Sequence, residues 1–152
     1  MVKQRLKIKR LNPNAKLPTQ ATPGSAGYDL YACIGKGEGD FLVIQPGETV
    51  PIPTGIAIQM HPNLVGLIYA RSGLAIKRGL RPANCVGVID WDDRGEYIVA
   101  LHNDGTDPEW IYHGDRIAQL VFTTYFSEEW DEVSELDETQ RGAGGFGSTG
   151  TN

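Results

Sequence analysis

Several short stretches of this chain bring chemically capable side chains together. RGAGGFGSTG, Arg141–Gly150, holds five glycines with Arg141, Phe146, Ser148 and Thr149. Successive glycines let backbone N–H groups curl into an anion-binding nest. Arg141 could grip phosphate oxygens bidentately. Ser148 and Thr149 offer hydroxyl donors, and Phe146 offers a face for a planar ring such as a nucleobase. A Walker A loop does not fit, because the stretch has no lysine and neither a strand before it nor a helix after it. Glycine loses the most freedom on ordering, so the segment is expected to be mobile until an anion binds. A plain flexible tail is the competing reading.

Two further candidate anion sites lie upstream. In YARSGLAIKRGL, Tyr69–Leu80, a strand runs into a possible helix start, where Ser72 and Gly73 would expose backbone N–H groups beside Arg71. In GDRIAQLVF, Gly114–Phe122, Arg116 and Gln119 stand at the start of an apolar strand. Either one alone reads more simply as a surface ion pair than as an anion site. The segment CVGVID, WDDRG, EYIVALHN (85–103) reads as two β-branched runs around a turn, a hairpin signature. Asp90 falls where the first run meets the turn, exposed and held by the sheet. Three acids in four residues (Asp90, Asp92, Asp93) also fit simple turn formation.

The elements that must position these residues read as short strands broken by Gly and Pro. They cover Tyr28–Ile34, Phe41–Gln45, Thr49–Pro53, Gly55–Met60, Leu64–Tyr69, Cys85–Asp90, Tyr97–Asn103, Glu109–Tyr112 and Ile117–Tyr125. Many short strands with close turn signals mean an all-β sandwich or barrel. One short helix is expected within Ser72–Lys77, with Ser72 as N-cap. VKQRLKIKR at the start alternates Lys with Leu6 and Ile8, as a half-exposed strand does. Residues 1–126 form the β-rich core in this reading, 127–139 an acidic connector, and the glycine-rich end an arm. The length fits one domain with a real core. Two cysteines without CxxC spacing argue against a disulfide framework or a zinc site, and for a reducing cytoplasmic setting. No apolar run approaches the roughly 20 residues of a membrane helix. A net charge of −5 disfavours non-specific nucleic-acid binding. His61, His102 and His113 show no ligand spacing and read as surface or packing residues.

Taken in order, AGYDLYA (Ala26–Ala32), ARSGLA (Ala70–Ala75), GVIDWDDRGEY (Gly87–Tyr97), GDRIAQLVF and RGAGGFGSTG resemble the five motifs of the trimeric deoxyuridine triphosphatase (dUTPase) family. The resemblance spans nearly the whole chain. It implies a distorted jelly-roll or β-clip barrel with a flexible C-terminal arm, and a homotrimer with active sites at subunit boundaries. It implies Mg²⁺-dependent hydrolysis of dUTP to dUMP and pyrophosphate, with the arm closing as a lid. By resemblance, Asp90 activates the attacking water, and Asp29 holds Mg²⁺ through water. Arg71, Ser72, Gly73, Arg116 and Gln119 contact phosphates, as do Arg141, Ser148 and Thr149 from the arm. Asn84, Gly87 and Ile89 bind uracil, and Phe146 covers it.

The chain departs from the family pattern at Asp93, where I-D-x-x-Y-x-G places a tyrosine that packs on the deoxyribose. An aspartate cannot pack so, and it could accept a hydrogen bond from a 2′-hydroxyl. Trp91 is a poor substitute, since a strand neighbour points to the other face. Ala70 replaces a common proline. Two alternatives stand beside this reading. A dCTP deaminase needs a glutamate on the strand after the turn, which Tyr97–His102 lacks. A non-catalytic nucleotide sensor or regulator would leave the catalytic set without a purpose.

Overall fold

A computed structural model describes residues 5–84 and 86–144. Eleven strands and one helix follow in order: β1 Lys7–Arg10, β2 Tyr28–Tyr31, β3 Phe41–Ile44, β4 Thr49–Pro53, β5 Ile56–Gln59, β6 Leu64–Tyr69, α1 Ser72–Arg78, β7 Leu80–Pro82, β8 Gly87–Ile89, β9 Ile98–Asn103, β10 Glu109–Tyr112 and β11 Arg116–Thr124. All strand pairs are antiparallel. The largest sheet has the order β2-β11-β6-β8; β4-β9-β7, β10-β3 and β1-β5 form the others. None of these sheets closes on itself, so the architecture is jelly-roll-like rather than a sealed barrel. One core unites them, built on Leu30, Ile44, Ile52, Leu80, Leu101, Ile111 and Leu120.

The all-β expectation and most strand positions hold, and the differences have local causes. The hairpin expected across 85–103 does not form. β8 pairs with β6, while β9 is sandwiched between β4 and β7. The chain is drawn away after the turn by long-range bonds: Tyr97 N–H donates to Ile56, Thr54 Oγ1 donates to the Tyr97 carbonyl, and Gly55 N–H donates to Glu96. β7 was not foreseen, because three residues with a terminal proline give no periodic signal. Its partner β9 supplies the pattern. The strand expected over Tyr28–Ile34 stops at Tyr31. Beyond it Ala32, Cys33 and Ile34 stay buried but bond to Asp115, Pro53 and the His113 ring.

The helix forms where expected, but Ser72 is not its N-cap. Arg71 takes that position in extended conformation, without a side-chain cap. Its C-terminus ends on Gly79 at φ +63, the left-handed form that glycine adopts without strain. Residues 127–139 lie exposed and form no strand or helix, with Trp130 97% exposed. No helix among the described residues is long and apolar enough to cross a membrane.

Candidate active site

The register of the main sheet builds one polar row. Gln119 on β11 lies opposite Asp29 on β2 and opposite Tyr69 on β6. Directly opposed residues of antiparallel strands share a face. Strand alternation turns Leu30, Ala118, Leu120 and Ile68 into the core and leaves Asp29, Gln119 and Tyr69 on the other face. These three, with Ser25, Gly27 and Val121, line a cavity of about 360 Å³.

Arg116 joins this face through a bulge. A regular strand would put Arg116 and Gln119, three apart, on opposite faces. The register of β11 shifts between Arg116 and Ala118, and Ile117 and Ala118 are both buried in succession. One residue is thereby absorbed, and Arg116 Nη1 reaches Asp29 at 3.3 Å. The bulge leaves no mark in the motif GDRIAQ itself, so sequence reasoning missed it.

Asp29 is the electrostatic hub. Only 12% exposed, it accepts Arg71 Nε at 2.8 Å on one oxygen and Arg116 on the other. Arg71 also donates to the Arg116 carbonyl at 3.2 Å. A carboxylate between two guanidiniums holds both forks at one place, leaving a local excess of positive charge for an anion. Arg116 remains half exposed toward a second hollow of about 190 Å³, lined by Arg71, Leu74, Arg78, Ile111 and Asp115. Ser72 and Gly73, both exposed, present the leading N–H groups of α1 next to Arg71.

Gln119 is aimed by two contacts. Its Nε2 donates to the Ala70 carbonyl at 2.9 Å. Gly27 lies so close that a Cβ there would meet Gln119 Oε1 at 2.8 Å. Neither Gly27 nor Tyr69 was singled out from the sequence. The signal for Gly27 was present, a glycine two residues before the key aspartate, but the partner it makes room for is 92 positions away.

Asp90, just beyond β8, stands apart from this cluster. β8 is antiparallel to β6 with Gly66 opposite Ile89 and Ile68 opposite Gly87. Asp90 is therefore level with Val65, while Gln119 is level with Tyr69. Four residues of strand separate them, about 13 Å. Gly87 is buried, and a Cβ on it would press on Ile68 at 3.1 Å and on Asn84 Nδ2 at 3.3 Å. Ile89 packs its side chain against the core, so only its backbone is free for a ligand. Trp91 also packs there. Asp93 closes the turn, its N–H donating to the Asp90 carbonyl at 3.1 Å. Arg141 lies in an exposed turn, its Nε bonded to the Gly144 carbonyl. Phe146, Ser148 and Thr149 lie outside the described residues.

The donor set speaks to a metal. No group of three His, Cys, Asp or Glu side chains among the described residues could cage an ion. One carboxylate beside an anion-binding cluster matches Mg²⁺ carried mainly by phosphates and water. A carboxylate has about four acceptor sites, so Asp29 can bond both arginines and still accept a metal-bound water.

The family model described as dUTPase matches residues 13–150. A deoxyuridine 5′-triphosphate nucleotidohydrolase of Desulfitobacterium hafniense is 49% identical over 150 residues, covering 98% of this chain and 97% of that protein. The structure of Staphylococcus bacteriophage 80alpha dUTPase with dUpNHpp superposes with a TM-score of 0.86 at 27% identity, covering 97% of this chain and 99% of that one. A mutant dUTPase from phage phi11 of S. aureus, described with a structural Mg(II) ion, has the same fold: TM-score 0.78, 24% identity, 89% of this chain and 100% of that one.

Proposed function

The chain belongs to the dUTPase family and hydrolyses dUTP to dUMP and pyrophosphate, and from this premise we propose how its residues divide the work. Asp90 orients the attacking water and takes its proton as the water adds to the α-phosphorus. Its exposed position just past a strand end supports this, since a base must reach the water it deprotonates. Arg71, Arg116, Gln119 and the leading N–H groups of Ser72 and Gly73 hold the phosphate chain. Asp29 already orients the two arginines and Ala70 orients Gln119, so little reorganisation is needed as charge develops. Asn84 and the backbone at Gly87 and Ile89 line the place for uracil. Asp93 lies beside the sugar. Mg²⁺, when bound, neutralises triphosphate charge, and Asp29 would hold it through water.

The observation that carries the architecture is the separation of Asp90 from the phosphate cluster along β6. About 13 Å of strand lies between them, which favours a site completed by a second subunit over one held in a single chain. A homotrimer in which neighbouring subunits complete each site resolves this, and the exposed 127–144 segment is free to cross to a neighbour. Residues 127–152 then serve as an arm, with Arg141, Phe146, Ser148 and Thr149 closing over the nucleotide and excluding water. The free, buried thiol of Cys33 fits a reducing cytoplasm.

The test is pyrophosphate release from dUTP with Mg²⁺, comparing the protein with Asp90→Asn. Loss of a general base costs about 10²–10⁴ in rate, with nucleotide binding retained. Unchanged turnover in Asp90→Asn removes Asp90 from the reaction.

A further inference from the structure

We propose that this enzyme also hydrolyses the uracil ribonucleotide UTP, with Asp93 receiving the ribose 2′-hydroxyl. The inference rests on Asp90 as the residue that holds the attacking water. The β-turn from Asp90 to Asp93 brings their Cα atoms within about 7 Å. A nucleotide attacked at its α-phosphorus from Asp90 carries its sugar one oxygen away from that phosphorus. The ring spans the next few ångströms, which is the reach from Asp90 to Asp93.

Asp93 is built as a fixed acceptor. Its Oδ1 takes the Gly95 N–H at 2.7 Å, which pins the side chain. A Cβ at position 95 would come within 3.1 Å of that oxygen, so the glycine keeps the turn open. Its Oδ2 has no partner among the described residues. Arg94 does not neutralise the carboxylate, because its Nη1 donates to the Trp91 and Asp93 carbonyls. Behind it lies buried Tyr97, whose phenol burial and the Asp93 charge together push up to about 12. No aromatic ring of this turn covers the place, since Trp91 packs on the core. An open carboxylate oxygen accepts from a hydroxyl in a charge-assisted bond. It gains nothing from the CH₂ of a deoxyribose.

The reaction balances as for the deoxynucleotide. Water forms the new O–P bond at the α-phosphorus. The bond from that phosphorus to the bridging oxygen breaks, and its electron pair leaves with pyrophosphate. The water's proton passes through Asp90 to solvent, and UMP remains.

The experiment measures kcat/KM of the full chain with Mg²⁺ for dUTP, UTP and 2′-fluoro-2′-deoxyuridine triphosphate. The fluorine fills the site but cannot donate. UTP is expected to be hydrolysed to UMP and pyrophosphate and to exceed the fluoro analogue by about tenfold to hundredfold. Asp93→Ser can still bond Gly95 but loses the second oxygen. It is expected to lower the ratio of the UTP value to the dUTP value by a similar factor. No UTP turnover beside active dUTP turnover overturns the proposal. So does an equal fall for both substrates in Asp93→Ser, which would make Asp93 a turn former only. Absence of dUTP turnover in the unaltered chain would instead overturn the reading of the site on which it stands.

Discussion

Tyr97 takes a polar atom into the core without a partner. It is 1% exposed, and its hydroxyl has no hydrogen bond among the described residues. An unsatisfied buried hydroxyl costs about 1–3 kcal/mol. Burial first, then the Asp93 charge, raises its pKa from 10.0 to about 12, against a smaller lowering by Arg94. The folded state therefore keeps the proton that the unfolded chain loses above pH 10. That contribution is complete below pH 10 and disappears as pH climbs to about 12. Thermal unfolding across this window should show a falling midpoint for the protein. In Tyr97→Phe this share of the fall should vanish, and stability at neutral pH should rise by about 1 kcal/mol or more. An unaltered alkaline profile in Tyr97→Phe would refute the assignment. Asp29 shows the opposite handling of a polar group: almost buried, and bonded on both oxygens.

Helix α1 and strand β11 carry Ser72, Gly73, Arg116 and Gln119, proposed above to face the phosphates, and each depends on one irregularity. The helix has no side-chain N-cap and no acid in its first turn, so its own propensity is weak. It is held from outside. Leu74 enters the core, and Arg78 bonds Glu109 and the Trp110 carbonyl. Gly79 ends it against the 103–105 turn: a Cβ there would meet Gly105 N at 2.8 Å, with φ already in the left-handed region. Gly79→Ala should lose about 1–3 kcal/mol, read as a lower denaturation midpoint. Gly79 closes the far end of the helix whose leading N–H groups belong to Ser72 and Gly73, so KM for dUTP should rise as well. A variant as stable as the parent would show that the turn yields freely. The bulge in β11 does the corresponding work for Arg116, and it is visible only in the register with β2.

At the scale of the molecule, the question is whether Asp90 and the phosphate cluster act in one subunit or across two. Arg71→Ala and Asp90→Asn should each be inactive alone. Co-expressed, or unfolded and refolded together, they should regain a measurable share of activity, because some mixed sites take an intact Asp90 from one subunit and an intact Arg71 from another. The share should vary with the mixing ratio. Two dead variants that stay dead in every mixture would place the whole site within one chain and refute the shared arrangement. Exposed Trp130 and Leu136 in the acidic segment, with Phe126 just before it, form apolar surface that the proposed homotrimer would cover.

Sequence patterning alone determined the class of fold, because alternation and turn residues are local properties. It also offered candidates for chemistry, Asp90 after its strand, Arg71 with Ser72 and Gly73, and Arg116 with Gln119, while Asp29 stood out only through the resemblance to the family's first motif. Most strand positions, including β4, β6 and β10, are legible for the same reason. What only the tertiary structure decided is who meets whom. Asp29 sits between two arginines 42 and 87 positions away. The hairpin legible in 85–103 dissolved because Ile56 and Thr54 claim Tyr97, and β7 exists because β9 pairs with it. These are pairings between distant segments, settled by which edges and faces remain free once the core has closed. That information is in the chain as a whole and in no window of it.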